Sequence, residues 1–132
     1  MNREILFKAK RIDNGEWVEG QYAYITNPLT EDGRPIKHLI CNGTNIFNDL
    51  IDSDTLCQYT GLTDKNGKKI WENDILCIVE NAKLMVSWHH FKASWVLSKK
   101  GWMYNHFFGE SVEPEDVEAV GNIFDNADLL EV

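Results

Sequence analysis

The feature that most constrains the fold is the stretch of residues 55–78, which reads TLCQYTGLTDKNGKKIWENDILCI. Near its middle lies the dipeptide Asn66-Gly67, the preferred pair for a two-residue type I′ hairpin turn, because both residues of that turn take positive φ. Residues 75–79 are apolar at consecutive positions. Such a run is too short for a buried helix and is typical of a strand covered on both faces. The stretch predicts a β-hairpin that leads into a central strand.

Turn signals of the same kind recur along the chain. Asn-Gly or Asp-Gly pairs begin at positions 14, 32, 42 and 66, and the runs between them have the composition of strands. We predict a first hairpin from 5–12 and 17–26, followed by strands at 36–41, 83–88 and 91–97. The residues expected to serve as turn and capping groups, with positive φ at both Gly61 and Gly121, are Asn14, Gly15, Gly61, Asn66, Gly67, Asp74, Gly121 and Asn122.

Aromatic side chains concentrate between residues 88 and 108. Apolar and polar residues alternate through 91–97 and again through 102–108, which is the pattern of strands with one covered face. Tryptophans at this spacing serve as core, as a subunit interface or as a ligand surface, and the sequence leaves these three alternatives open. The candidate interface or ligand surface consists of Trp88, Phe91, Trp95, Trp102 and Tyr104.

Helical patterns are scarce. Residues 44–53, 113–116 and 125–130 each fit a single helical turn, and acidic residues stand at the positive end of the second one. The predicted fold is therefore mainly β, built from antiparallel hairpins with one or two short helical turns. A length of 132 residues fits one domain, residues 1–132, and two packed subdomains at 1–54 and 55–132 are the alternative.

The distribution of charge is uneven. The net charge is −8, and residues 110–132 hold eight acidic residues and no basic one. A net acidic protein repels phosphate backbones, which argues against nonspecific nucleic-acid binding. No apolar run approaches the ~20 residues of a membrane helix, and we recognise no secretory signal at the N-terminus. Three widely spaced cysteines favour a reducing, cytoplasmic setting without disulfides.

The sequence does not place reactive groups in a recognisable catalytic pattern. His38 and Cys41 have the spacing of one zinc-ligand pair, but a second local pair is missing, and positions i and i+3 of a strand face opposite sides. There is no G-x-S-x-G motif and no phosphate-binding glycine loop. The acidic loops at 49–54 and 72–74 are expected to be solvated. We therefore expect no catalytic residue, no metal site and no cofactor.

Three motifs coincide in one known family. KRIDNGEWVEG (10–20), QYTGLTDKNGKKIWENDIL (58–76) and VGNIFDNADLL (120–130) resemble the YopX family of phage and prophage proteins. The middle block is the most specific, and together the blocks span nearly the whole chain. The resemblance implies a mainly β fold, a gene carried by a phage or prophage, and action in the bacterial cytoplasm. It implies no reaction.

The chain departs from the family pattern at a few positions. Members more often have Tyr or Phe where Trp71 stands, Gly where Asn73 stands, and Pro where Ala127 stands. We expect Asn73 to take the left-handed conformation that Gly would supply, at a modest cost. By fold analogy alone, the stretch 71–81 and the strand after it also look like the opening of a small SH3-like barrel.

These observations favour a non-enzymatic binding or assembly module. Exposed sheet edges and aromatic patches need covering in a small β protein, so we expect a homo-oligomer. The main alternative is a nucleic-acid-associated role in phage DNA metabolism or regulation, because aromatic and basic residues alternate along a predicted sheet. A third alternative is an enzyme that uses the acidic loops with a divalent metal.

Overall fold

The protein is built almost entirely from short antiparallel strands. Every pairing between named strands is antiparallel, and the helical elements in the described part of the chain are 3₁₀ turns of three or four residues. The predicted mainly β fold with short helical turns is therefore confirmed. The computed structural model describes residues 4–25, 37–41, 49–78, 82–99, 106–108, 110 and 112–130.

The chain divides into two compact units, Met1–Gln58 and Tyr59–Val132. In the first unit the strands lie in the order β4-β3-β2-β1, and the start of β5 pairs with β1. The β1–β2 pair confirms the predicted first hairpin. A 3₁₀ turn, Ser53–Thr55, follows β4. The strands are β1 (Phe7–Lys10), β2 (Trp17–Ile25), β3 (Lys37–Cys41), β4 (Asp49–Leu50) and β5 (Cys57–Thr63), of which β5 ends in the second unit.

The first unit has a small core that one hydroxyl group helps to close. Ala9, Ile40 and Ile51 are buried together. The Thr55 hydroxyl accepts a hydrogen bond from the Lys10 backbone N–H at 2.8 Å and donates one to a backbone carbonyl at 2.7 Å. A single buried threonine therefore satisfies the backbone of β1 beside the 3₁₀ turn.

The second unit contains a five-stranded sheet in the order β10-β9-β8-β7-β11, and β5 pairs with β6. Two 3₁₀ turns, Pro114–Asp116 and Ala127–Leu130, flank β11. The buried core of this unit consists of Ile70, Leu76, Leu84, Val86, Leu97, Val112 and Val117. The strands are β6 (Lys69–Trp71), β7 (Asp74–Cys77), β8 (Lys83–His89), β9 (Ser94–Ser98), β10 (His106–Phe107) and β11 (Glu118–Asn122).

Strand β7 is the predicted central strand. Strands β8 and β11 pair with its two edges. Asp74, Ile75 and Leu76 are buried at consecutive positions, so both faces of the strand are covered. The turn before it carries Asn73 at φ 69°, which confirms the expected left-handed conformation. The Asn73 N–H donates to the Val86 carbonyl at 2.9 Å, and its carbonyl accepts from the Ile123 N–H at 3.0 Å.

The hairpin turn around Asn66-Gly67 is not of type I′, which corrects the sequence-based expectation. Gly67 has φ 80°, but Asn66 is not among the residues with positive φ. The Asp64 N–H bonds the Lys68 carbonyl at 2.8 Å, and the Gly67 N–H bonds the Asp64 carbonyl at 3.0 Å. These bonds define a three-residue loop with a glycine bulge. The physical reason is the Asp64 carboxylate, which binds the loop backbone from inside.

The expected positive φ is confirmed for Gly61, which has φ 88°, but not for Gly121, which is not among the glycines with positive φ. At Gly121 the constraint is space: a Cβ there would lie 2.6 Å from Oδ1 of Asn126. That oxygen accepts the Asn122 N–H at 3.2 Å. The glycine therefore permits a close side-chain approach and is not needed for its backbone conformation.

We predict that Gly121→Ala lowers the free energy of unfolding by about 2 kcal/mol, because the new methyl group overlaps Asn126. The measurement is urea unfolding of four proteins: wild type, Gly121→Ala, Asn126→Ala and the double variant. The alanine at 121 should cost at least about 1 kcal/mol less in the Asn126→Ala background, since neighbouring sites are not additive. An equal cost in both backgrounds contradicts the proposed overlap.

Asp64 is a buried carboxylate that serves the backbone. Its Oδ1 accepts the N–H groups of Asn66 and Lys68, each at 2.9 Å, and its Oδ2 accepts the N–H of Ala119 at 2.9 Å. Burial raises the pKa of this carboxyl, but the three N–H groups and the nearby charge of Lys68 lower it by more. The net pKa lies below the ordinary value, so the ionised form stabilises the fold.

We predict that Asp64→Asn lowers the free energy of unfolding by about 2 kcal/mol near pH 7, because an amide NH₂ cannot accept the Ala119 N–H. The contribution of the wild-type carboxylate is complete above the unfolded-state pKa of about 4 and disappears as the pH falls through the lower folded-state pKa. The stability difference between wild type and Asp64→Asn should therefore shrink on acidification. Urea unfolding at several pH values measures it, with the exposed Asp54→Asn as control, and a difference independent of pH contradicts the assignment.

Candidate functional site

The β8–β9 hairpin, residues 83–98, carries two exposed aromatic side chains, Trp88 and Phe91, and is called the aromatic hairpin below. Trp88 and Trp95 lie opposite each other in its register. Their ring centroids are 5.0 Å apart and the planes meet at 68°, an edge-to-face contact that is favourable for aromatic pairs. The next pair on the same face, Val86 and Leu97, is fully buried.

One face of the hairpin therefore runs from the core to solvent. Alternate strand residues share a face, so Leu84, Val86 and Trp88 form one stripe. The first two are fully buried, whereas Trp88 is 43% exposed. Strand β7 pairs with β8 only as far as Met85, but β9 accompanies β8 to His89. The last part of the hairpin thus extends beyond its neighbour and leaves apolar surface uncovered.

The tip of the hairpin adds a further exposed aromatic ring. Phe91 is 86% exposed and contacts the imidazole of His90, with ring centroids 4.2 Å apart. Ala93 in the same loop has φ 47°, a left-handed conformation that costs a non-glycine residue about 1–2 kcal/mol. Burial of an exposed Phe side chain contributes about 1.5–3 kcal/mol, so this loop offers substantial contact energy to a partner.

The opposite face of the hairpin combines an aromatic ring with a cation. The rings of His89 and Phe107 are 5.5 Å apart, and Nζ of Lys92 lies 5.0 Å from the centre of the Phe107 ring. The Lys92 N–H also donates to Nδ1 of His89 at 3.3 Å. A cation over an aromatic face is stabilising by about 0.5–1 kcal/mol at exposed sites. Lys92 is therefore held close to the tip, with its charge facing solvent.

The charge of this region is opposite to that of the whole protein. Residues 81–109 contain four lysines and no acidic residue, while the protein carries a net charge of −8. The aromatic hairpin, residues 83–98, holds two of these lysines and no acidic residue, so it is a cationic, aromatic surface on an anionic molecule. Such a surface can bind acidic peptides, aromatic or apolar side chains, or bases and phosphates of single strands.

Two buried polar atoms of the hairpin have no hydrogen-bond partner within the described ranges, Oγ of Ser94 and Nε1 of Trp95. An unsatisfied buried polar group costs about 1–3 kcal/mol. These atoms identify β9 as a place where the local fold is not optimised for stability alone, which is common near functional surfaces.

We predict that Ser94→Ala raises the free energy of unfolding by about 1 kcal/mol, because it removes a buried hydroxyl that has no partner and hardly changes the volume. The midpoint of urea unfolding should rise while the slope stays constant. Ser53→Ala, at an exposed position of the first unit, serves as control and should be nearly neutral. A destabilised Ser94→Ala variant contradicts this assignment.

The residues predicted as an interface or ligand surface are placed as follows. Trp88 and Phe91 are exposed, and Trp95 is half-buried beneath Trp88. Trp102 and Tyr104 lie outside the described residues. Sequence reasoning missed Phe107, Lys92 and His89 as one cluster, since only the β9–β10 pairing and the ring distances bring them together.

The motif residues expected in turns act on the backbone. Oδ1 of Asn14 accepts the Glu16 N–H at 3.0 Å beside Gly15, which has φ 72°. Oδ2 of Asp74 accepts the Trp71 N–H at 2.8 Å. Oδ1 of Asn122 accepts the N–H groups of the second and third residues after it, each at 2.9 Å. These polar groups therefore hold turns in place.

His38, the residue considered for a zinc pair, is engaged in the first unit. Its Nδ1 lies 2.6 Å from the Tyr22 hydroxyl, and the two rings are stacked with centroids 5.9 Å apart. In the part of the chain that the structure describes, no group of three or more His, Cys, Asp or Glu side chains is arranged to hold a metal ion. No helix among the described residues is long and apolar enough to cross a membrane.

His38 also lines an open surface cleft of about 530 Å³ in the first unit. Two cationic residues and one acidic residue stand beside it, and the Asp52 carboxylate already accepts the Asp54 N–H at 3.0 Å. A cleft of this size is in the range of small-molecule sites, but its open form offers little enclosure. The lining residues are Lys10, Arg11, Ile12, Gly15, His38, Ile51, Asp52 and Ser53.

Comparisons with known proteins agree with the fold. The family model described as YopX protein matches residues 6–131. The chain belongs to the YopX family. No curated protein matches the sequence. Among solved structures, the crystal structure of protein EF1440 from Enterococcus faecalis is similar over 98% of this chain and 99% of that one, with 21% identity and a TM-score of 0.51. At this identity the likeness shows a shared fold and nothing about activity.

Proposed function

We propose that this YopX-family protein is a non-enzymatic contact module, encoded by a phage or prophage and acting in the bacterial cytoplasm, whose copies associate through the aromatic hairpin. The observations that carry the proposal are the apolar stripe that leaves the core at Val86 and continues to the 43% exposed Trp88, and the 86% exposed Phe91 in the loop at the tip of the same hairpin. Clustered exposed aromatics of this kind mark interaction sites in small proteins.

The use of the polar motif residues supports a non-enzymatic role. The carboxylates of Asp64 and Asp74 and the amide of Asn122 accept backbone N–H groups. Groups that hold the backbone in place have an architectural purpose and need not be positioned for a substrate. The aromatic hairpin instead offers large, rigid rings, which are the side chains that contribute most to protein interfaces.

We predict that the wild-type protein is larger than one chain at tens of micromolar in light scattering after size exclusion, and that Phe91→Ser weakens the association at least about tenfold. The loss of about 1.5–3 kcal/mol of apolar burial has this effect on a dissociation constant. Ile12→Ser is the matched control, because Ile12 is 66% exposed in the first unit and lies away from the hairpin in the sequence. A strict monomer at tens of micromolar overturns the proposal.

A nucleic-acid role remains the second candidate, and one observation favours it. Residues 81–109 contain four lysines and no acidic residue, and stacking of a base on an aromatic side chain contributes about 1–3 kcal/mol. Single- and double-stranded probes in a low-salt mobility-shift assay distinguish the two candidates. Salt-sensitive binding that Phe91→Ser abolishes, together with a monomeric protein, supports the nucleic-acid role.

A further inference from the structure

The imidazole of His89 connects the end of β8 with the loop at the tip of the aromatic hairpin. Its Nδ1 accepts the backbone N–H of Lys92 at 3.3 Å. The centre of the same ring lies 6.3 Å from the ring of Phe91, in an edge-to-face contact, and 5.5 Å from the ring of Phe107. One half-buried side chain therefore contacts the exposed ring of the tip and an aromatic ring of β10.

The loop that this hydrogen bond closes contains a strained residue. Ala93 has φ 47°, a conformation that is unfavourable for a residue with a Cβ atom. A strained backbone persists only where surrounding contacts hold it, and the bond from the Lys92 N–H to His89 joins the two ends of the exposed part of the loop. The exposed Phe91 lies between those ends, so its position depends on His89.

The bond exists in only one charge state of the imidazole. Nδ1 accepts a hydrogen bond only while it carries no proton, and a histidine side chain changes charge between about pH 5 and 8. Protonation makes Nδ1 a donor, which cannot bind the Lys92 N–H. Ser94 lies opposite His89 in the strand pair, and its buried hydroxyl has no partner within the described ranges. This hydroxyl is an acceptor for the new proton within the hairpin.

Other charged and titratable groups lie on the elements around His89. The ammonium group of Lys92 is 5.0 Å from the centre of the Phe107 ring, so a protonated His89 shares that ring with a like charge. None of the surrounding groups removes the need for an unprotonated Nδ1. They belong to β8, the tip loop, β10, the residue after the β10 bridge, and the 3₁₀ turn that packs against β8, and they are Lys83, His90, Lys92, His106, Glu110 and Asp128.

We infer that His89 makes the association of copies depend on pH: the neutral imidazole holds the tip loop in the conformation that presents Phe91, and protonation releases the loop. This inference rests on the proposed self-association and names its regulation. A released loop must be ordered again when copies meet, and that loss of conformational freedom weakens binding. Association is therefore tighter at about pH 7.5 than at about pH 5.5.

The overall charge of the protein acts in the opposite direction. Protonation of its four histidines adds four positive charges to a net charge of −8, which reduces the repulsion between copies. Weaker association in acid therefore indicates a specific effect at the interface and not a general effect of charge.

The test measures the dissociation constant of full-length variants by sedimentation velocity at about pH 7.5 and about pH 5.5. Wild type should associate about three- to tenfold more weakly at the lower pH, as expected for the loss of one hydrogen bond. In His89→Asn, Oδ1 stands close to the position of Nδ1 and accepts the Lys92 N–H at both pH values, so the dissociation constant should be the same at both. His90→Asn, at the exposed neighbouring position, is the matched control and should keep the wild-type pH dependence.

Nuclear magnetic resonance of the wild-type protein tests the loop directly. The ring proton on Cε1 of His89 reports its protonation, and the amide proton of Lys92 should move upfield with the same midpoint as its hydrogen bond is lost. This measurement does not depend on the folding of a variant. A Lys92 amide whose shift does not follow the protonation of His89 overturns the inference.

The remaining outcomes separate the inference from the proposed function. If wild type associates equally at both pH values, or if His89→Asn keeps the pH dependence, the inference is overturned while the proposed self-association stands. A wild-type protein that is monomeric at tens of micromolar at both pH values overturns both. A constant that depends on pH in wild type and His90→Asn but not in His89→Asn supports the inference.

Discussion

The second unit depends on one buried carboxylate, that of Asp64. It accepts N–H groups from its own loop and from Ala119, which is 55 positions further along the chain. The Lys65 N–H adds a bond to the Val117 carbonyl at 3.0 Å. The loop thereby covers backbone groups on the outer edge of β11, the edge strand of the five-stranded sheet. An edge covered in this way is a poor template for another strand, which directs association towards side-chain surfaces such as the aromatic hairpin.

Other family-motif residues bind backbone groups in the same way. Asn14, Asp74 and Asn122 each accept backbone N–H groups in turns, as Asp64 does. Short polar side chains in such roles fix loop conformations that glycine alone would leave free. The motif therefore defines a scaffold of short strands. The aromatic hairpin lies outside the motif blocks and carries the most exposed large apolar side chain among the described residues, Phe91 at 86%, and this division supports a role in contact.

Much of the fold can be predicted from local signals, but the pairing between distant strands cannot. The Asn-Gly pairs and the alternation of apolar residues predict the first hairpin, and the apolar run predicts β7. The type of turn at Asn66 depends on a carboxylate two positions earlier, and the need for glycine at position 121 depends on Asn126. Neither effect can be predicted from dipeptide preferences, because each depends on a contact that forms only in the folded chain.

The candidate site, like the fold, can be predicted from the sequence only in part. Aromatic spacing identifies Trp88, Phe91 and Trp95, but Phe107 joins Lys92 only because β10 pairs with β9. The contrast between a cationic segment and the acidic segment that follows it is evident in the sequence, but only the structure shows that Glu110 lies beside Phe107, with its N–H bonded to the Phe107 carbonyl at 3.1 Å. The sequence therefore predicts which aromatic residues are candidates for contact, and the strand pairing shows which other residues lie beside them.

The most direct test of this account is amide hydrogen exchange of the wild-type protein at low and at high micromolar concentration. If copies meet through the aromatic hairpin, amides in residues 88–93 become more protected at the higher concentration, while those of the first unit do not change. Protection of residues 88–93 that is independent of concentration, or protection that increases only in the first unit, contradicts the account.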